Sequence, residues 1–233
     1  MSSEIIISLV TLIFLEIILG IDNIIFISIL TDKLPETTRG KARIIGLSLA
    51  LVLRLALLAG ISWVLKLDQP LFSILKNSYS GKDLILIAGG LFLLYKSSKE
   101  IFEKTEDKLG ENQEKKELKT FVSFNNTIGQ IILLDLVFSI DSIITAVGLV
   151  DELWIMYTAV IISIGIMLLV SKKISGFINK HPSLKILALC FLMMIGLALI
   201  AEGFHLHIPK PYIYFSMAFS FLVNLIQIKK KKV

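Results

Sequence analysis

Cysteine is nearly absent from this chain of 233 residues: Cys190 stands alone in an apolar run, so no intrachain disulfide can form and thiol usage says nothing about compartment. Its expected role is packing. Proline is scarce as well. All five, Pro35, Pro70, Pro182, Pro209 and Pro211, fall between or at the ends of apolar stretches, as expected where helix interiors are kept intact. Charged residues make up 18% of the chain against 55% hydrophobic ones, and the mean hydropathy is +0.81, which excludes an ordinary water-soluble domain of this length. The formal charge of +5 comes almost wholly from Lys229 to Lys232, which close the last apolar run, so it implies no nucleic-acid surface. No basic stretch precedes the first apolar run, and that run is long and acid-bearing, so it reads as a retained span rather than a cleaved signal.

What is present is a series of apolar stretches, each long enough to cross roughly 30 Å of hydrocarbon. They lie near 5–30, 44–65, 71–95, 125–149, 153–171, 184–203 and 211–228. The fold class expected is therefore all-α, a polytopic membrane helical bundle of about seven transmembrane helices with the lipid bilayer as its partner. Lys and Arg crowd alternate loops. Lys33, Arg39, Lys41 and Arg43 share one, Lys96 to Lys119 fill another, and Lys172, Lys173, Lys180 and Lys185 a third, whereas the N-terminus and the 150–152 turn have none. The positive-inside rule then predicts an outside N-terminus and an inside C-terminus. The 66–82 loop, with Lys66, Lys76 and Lys82, fits that alternation least.

The hydrophilic stretch from Lys96 to Lys119 divides the chain, and the two parts resemble each other. Glu16, Asp22 and Asn23 overlay Asp135, Asp141 and Ser142 at a constant offset, and Ala88-Gly-Gly-Leu-Phe overlays Met194-Ile-Gly-Leu-Ala at a smaller one. The expected organisation is a first three-helix repeat over 1–96, a charged cytoplasmic linker over 97–124, a second three-helix repeat over 125–203, and an outer loop, final helix and basic tail over 204–233. A repeat with an odd number of spans enters the membrane in the opposite sense the second time. Inverted repeats of this kind are a common construction of secondary transporters, whose ion sites lie near the midplane.

The acids carry the functional argument. A carboxylate at the centre of a membrane helix costs roughly 2.5–3.5 kcal/mol, so two in one span oppose insertion by about 5–7 kcal/mol, and only the surrounding Ile, Leu, Val and Phe offset this. At about 100° per residue Glu16 and Asn23 share one helical face, as do Asp135 and Ser142, while Asp22 and Asp141 turn away by roughly 120°. Local unwinding near Gly20 and Ser139 would bring all of them together and free backbone carbonyls. Carboxylates, an amide oxygen, a hydroxyl and carbonyls form an all-oxygen anionic site suited to Mn²⁺, Mg²⁺ or Ca²⁺, and poorly suited to zinc or copper. Kept from water and empty, such acids hold protons that an arriving cation displaces, which makes proton-for-cation exchange available. The bland alternative is that the acids only hydrogen-bond between helices, or are neutralised by Arg54 to fix packing.

Arg54, deep in the second span, needs an anionic partner, and the acid cluster is the expected one. Glu202 near the outer end of its span reads equally as an interface acid or as part of a gate or proton path. Lys96 reads as the inner anchor of its helix. His205 and His207 read as exposed loop histidines rather than metal ligands.

At these residues the chain resembles the TerC family of integral membrane proteins, named for tellurium resistance. The elements that match are Glu16-x-x-x-Gly20-x-Asp22-Asn23, Leu51-Val-Leu-Arg54, Gly89-Gly90, Asp135-x-x-Phe138-Ser139-x-Asp141-Ser142 and the Gly196 to Glu202 stretch, covering about 5 to 228. The resemblance implies a multi-pass protein of a bacterial inner (plasma) membrane. The family it resembles includes manganese exporters, which implies metal handling by the acids. Carried over residue by residue, it implies Glu16, Asp22, Asn23, Asp135, Asp141 and Ser142 as metal ligands, with Arg54 as a charge partner.

Three functions compete. The first is a secondary transporter exporting a hard divalent cation, Mn²⁺ above all, with no catalytic residues and no resident cofactor. The second is a non-transporting membrane scaffold or metal-resistance accessory protein that docks partners through the linker. The third is an intramembrane aspartyl protease with two membrane aspartates as its acid/base pair. Those enzymes share a Gly-x-Gly-Asp and a Tyr-Asp motif, and here the acids read Gly20-Ile-Asp22, Ser139-Ile-Asp141 and Leu134-Asp135, so neither is present. The chain is expected not to be an enzyme. No protein partner is implied, and a homo-oligomer is left open.

Overall fold

A computed structural model describes residues 2–74, 77–106, 123–150, 152–206 and 208–230. In chain order the elements are α1 (Ser2–Asp32), α2 (Glu36–Ala59), the short α3 (Ile61–Lys66), an antiparallel hairpin of β1 (Pro70–Ile74) and β2 (Asn77–Ser80), then α4 (Gly81–Glu106), α5 (Phe124–Val147), α6 (Leu153–Lys180), α7 (Pro182–Gly203) and α8 (Lys210–Lys230). Among the described residues six helices are long and apolar enough to cross a membrane, namely α1, α2, α5, α6, α7 and α8. The chain is an all-α polytopic membrane protein with about six candidate spans, one fewer than the sequence suggested.

The helix that differs is α4, which overlaps the expected third span. Lys82 and Asp83 at its start and Lys96, Lys99 and Glu100 further on bracket its apolar run Leu84–Tyr95, so this 26-residue helix is too charged to count among the six. The expected start of that span at 71 is also corrected. Residues 70–74 and 77–80 pair as antiparallel strands in which Pro70 faces Ser80 and Phe72 faces Tyr79, with the two rings stacked 5.8 Å apart. Leu71, Phe72 and Ile74 resemble the opening of a span in a hydropathy reading, but Pro70 before them and Asn77 and the serines after them favour turn and strand. The second span, expected to reach 65, stops at Ala59. There Gly60 (φ −90°, ψ 24°) donates to Ala56 O before α3 begins.

The chain divides into two compact units, Met1–Lys82 with Phe121–Gly176 and Asp83–Thr120 with Phe177–Val233. In the first, α2 packs closely on α5. Gly46 is the reason, since a Cβ there would lie 3.0 Å from Ile131 Cδ1. Leu47, Leu58, Ile131, Leu134, Ile140, Ile155, Met156 and Ile164 are fully buried. Both α1 and α5 run unbroken through their acid motifs, so the expected unwinding near Gly20 and Ser139 does not occur. Gly20 serves close packing instead, since a side chain there would overlap Sδ and Cε of Met167 on α6. In α5, Ser142 Oγ donates to Ser139 O at 3.3 Å and Thr145 Oγ1 to Asp141 O at 2.9 Å, so the hydroxyls bond within the helix instead of opening it.

In the second unit Pro182 occupies the first position of α7, where its missing N–H removes no helical bond. Helix α8 packs on α7, and Ser183 Oγ donates to Asn224 Oδ1 at 3.1 Å. Cys190 on α7 is exposed, not packed as expected. Of the charged linker over 97–124, residues up to Glu106 continue α4, and 107–122 lie outside the described residues.

Candidate cation site

Glu16 sits midway along α1, Arg54 near the end of α2 and Asp135 in the middle of α5, all three buried. Their heads meet. Arg54 Nη1 donates to Glu16 Oε2 at 2.6 Å and Nη2 to Asp135 Oδ1 at 3.2 Å, so one guanidinium joins two carboxylates on two other helices. Asp135 is held further: Asn23 Nδ2 donates to Oδ1 at 3.2 Å, and Ser139 Oγ to Oδ2 at 3.2 Å. Arg54 is only 2% exposed, and its Nε is buried with no hydrogen-bond partner among the described residues. Formally the two carboxylates and one guanidinium carry a charge of −1. Such a group persists in an apolar interior only because each charge has an opposite one at hydrogen-bond distance.

Of the residues the sequence singled out, Glu16, Asn23, Arg54 and Asp135 are brought together. The face shared by Glu16 and Asn23, seven residues apart, is what lets an unbroken α1 present both. Asp141 and Ser142 are buried on α5, with the Ser142 hydroxyl engaged inside the helix. Asp22 lies in α1, and its side chain is outside the described residues. Glu202 belongs to the second unit, where it pairs with Lys210 Nζ at 3.4 Å. His205, in the turn after α7 at φ 61°, brings Nε2 to 3.2 Å from Asp83 Oδ2 and so has an acid beside it, while His207 lies outside the described residues. Among the described residues no three of His, Cys, Asp or Glu form a metal-holding group.

Two features are not evident from the sequence. Ser139, the expected point of unwinding, instead donates to Asp135. The i, i+4 spacing on one helix face is the signal for that. At the other end of α1, Ser28 Oγ donates to Ser175 Oγ at 2.8 Å and Arg43 Nη2 donates to the same oxygen at 2.8 Å, tying α1, α2 and α6. Isolated serines in apolar helices are the only hint of it.

The fold and site together define a multi-pass membrane protein with a buried ionic cluster on three of its helices. The chain belongs to the Integral membrane protein TerC family, which it matches over residues 1–232. It is 53% identical over 224 residues to the UPF0053 inner membrane protein YgdQ of Escherichia coli (strain K12), covering 94% of this chain and 92% of that one. A UPF0053 protein of Haemophilus influenzae is 50% identical over 226 residues, covering 97% and 94%. The UPF0053 inner membrane protein YoaE of E. coli (strain K12) is 49% identical over 217 residues, or 93% of this chain, but the match spans only 41% of YoaE. No solved structure matches the chain. The protein is a multi-pass inner membrane protein.

Proposed function

We propose that this protein is a secondary transporter exporting a hard divalent cation, with Mn²⁺ the favoured cargo and protons as the exchanged ion. The observation that carries the reading is the meeting of Glu16 and Asp135 on one buried guanidinium. These acids occupy equivalent positions in the two proposed repeats, and acids from both repeats facing one interior point is what an inverted-repeat ion site requires. Every side-chain donor the cluster could offer a metal is oxygen, which suits Mn²⁺, Mg²⁺ or Ca²⁺. In this reading Glu16, Asn23 and Asp135 supply ligands where they already meet, and Asp22, Asp141 and Ser142 join them as the cargo opens α1 and α5 near Gly20 and Ser139. The seven-helix arrangement, with α4 as the third span, N-terminus outside and C-terminus inside, belongs to the same proposal. So does the absence of an enzymatic role and of a resident cofactor.

A second reading draws on the same contacts. If Arg54 neutralises the acids permanently, the cluster is a packing device of a scaffold or a metal-resistance accessory protein. One experiment separates the two: proteoliposomes holding a divalent-sensitive dye and a pH probe, challenged with Mn²⁺, Mg²⁺, Ca²⁺ and Zn²⁺ with and without a proton gradient. The transporter moves Mn²⁺ and protons in opposite directions, and Asp141→Asn abolishes both signals. Silence of both signals for every cation favours the scaffold.

A further inference from the structure

We propose that Arg54 is a tethered counter-cation that alternates with the cargo, taking Glu16 and Asp135 when the carrier is empty and surrendering them when a divalent cation enters; this rests on the transport reading above. The guanidinium occupies the oxygens the cargo would need. A divalent ion of this class binds carboxylate oxygens at roughly 2.0–2.6 Å. Arg54 already holds Glu16 Oε2 at 2.6 Å and Asp135 Oδ1 at 3.2 Å, so metal and guanidinium on these oxygens would be like charges in contact. A guanidinium keeps its charge, so Arg54 leaves by moving and not by losing a proton.

The way Arg54 is held suits a group that has to let go. It makes one bond to each of two acids instead of a two-bond fork on either, and its buried Nε goes without a partner among the described residues. A buried donor left unmet raises the energy of the closed arrangement and lowers what must be overcome to leave it. The acids are also unequal. Asp135 keeps Asn23 and Ser139 when Arg54 departs, whereas the only hydrogen bond to Glu16 among the described residues is that from Arg54. Asp135 is thus the anchored ligand and Glu16 the one that is freed. The apolar stretch of α6 from Leu153 to Val170, which answers to α2 in the proposed repeat, has no Lys or Arg, so Arg54 has no counterpart there and serves both acids.

The consequence concerns the return step. An emptied site with bare acids is costly to carry through lipid; Arg54 supplies the positive charge at Glu16 and Asp135, and the exchanged protons are left to the other acids of the site. Without it the protein swaps one metal ion for another but no longer returns empty. The test uses the full-length protein in proteoliposomes with Mn²⁺ as probe, comparing net Mn²⁺ movement with exchange of radioactive Mn²⁺ across vesicles loaded on both sides. Free Mn²⁺ is also followed by its EPR signal over purified protein. For Arg54→Gln, net movement is expected to fall at least about ten-fold while exchange stays within about five-fold of wild type, and Mn²⁺ binds about ten-fold more tightly because its competitor is gone. Exchange and net movement lost in parallel by a folded variant, or Mn²⁺ affinity that falls, overturns the proposal. Should Arg54→Gln not purify as a folded protein, Arg54→Lys carries the test. Its point charge cannot span both acids as a planar fork does, so its ratio of net movement to exchange drops below wild type, and an unchanged ratio overturns the proposal. A wild-type protein that moves no divalent cation overturns the transport reading and this role with it. An active wild type matched in every respect by Arg54→Gln overturns the role alone.

Discussion

Helices meet in two different ways within this chain. In the first unit α1, α2 and α5 come together around side chains: Glu16, Asn23, Arg54, Asp135 and Ser139 fill the space between them with charge and hydrogen bonds. In the second unit α4 and α7 meet through backbone. A Cβ on Gly90 would lie 2.5 Å from Gly196 O, and one on Gly196 would lie 2.9 Å from Gly90 O. The contrast separates two uses of an intramembrane contact. Small residues let helices touch and leave nothing between them that could bind or move, whereas polar side chains hold helices apart at a distance that chemistry can use. The glycine interface supports a structure, and in the transport reading the polar one offsets its insertion cost by what it binds.

The comparison predicts that the polar contact is more sensitive to loss of one partner than the glycine contact is to added bulk. The largest effect is expected from Asp135→Leu, which leaves Arg54, Asn23 and Ser139 without their shared acceptor. Removing one side of a buried ion pair typically costs about 3–5 kcal/mol, so thermal unfolding of the detergent-solubilised protein should shift further than for a glycine substitution or the loss of a single hydrogen bond. Asp135→Asn, which keeps an acceptor oxygen, should shift it much less while still abolishing Mn²⁺ transport. Equal stability for Asp135→Leu and wild type would mean that the cluster is not closed in the membrane. Next comes Gly90→Val. Overpacking costs about 1–3 kcal/mol, and here the obstruction is Gly196 O and Ile200 N, backbone atoms that cannot swing aside. The melting temperature should fall, yet Mn²⁺ binding per folded molecule should stay near wild type. A variant with normal stability would show that α4 and α7 do not touch through backbone in the membrane.

How far each contact could be read in advance follows from what a linear sequence encodes. The expense of a carboxylate in lipid marks Glu16, Asp22, Asp135 and Asp141 with no knowledge of their neighbours, and the same expense makes Arg54 demand an acid. The spans follow for a similar reason, since hydropathy over about 20 residues is nearly a local property. What hydropathy alone does not convey is which particular groups meet, whether far along the chain or within a few residues. Gly20 looks like a place to open a helix until Met167 is found lying against it, and Ser139 looks like another until its hydroxyl is found on Asp135. The apolar residues of 70–74 look like the start of a span until Tyr79 stacks on Phe72 and turns them into a strand. Asp141 and Ser142 stand beside Asp135 in the motif, but the turn of an unbroken helix carries Asp141 about 120° from it around the α5 axis.

The smallest expected effect sharpens the comparison most, because it isolates one hydrogen bond within the polar contact. Asn23→Ala removes the donation from Nδ2 to Asp135 Oδ1 and leaves that oxygen its bond from Arg54, so no charge is stranded. Hydrogen bonds between membrane helices average about 0.6 kcal/mol in such comparisons, so the melting temperature should change little. Transport should change more, because Asn23 is both a ligand candidate and one of the two groups that keep Asp135 in place when Arg54 departs. A rise in the Mn²⁺ concentration for half-maximal transport with near-normal stability would mark Asn23 as part of the binding contact. A stability loss as large as that of Asp135→Leu with no change in Mn²⁺ dependence would place it with the helix-packing residues instead.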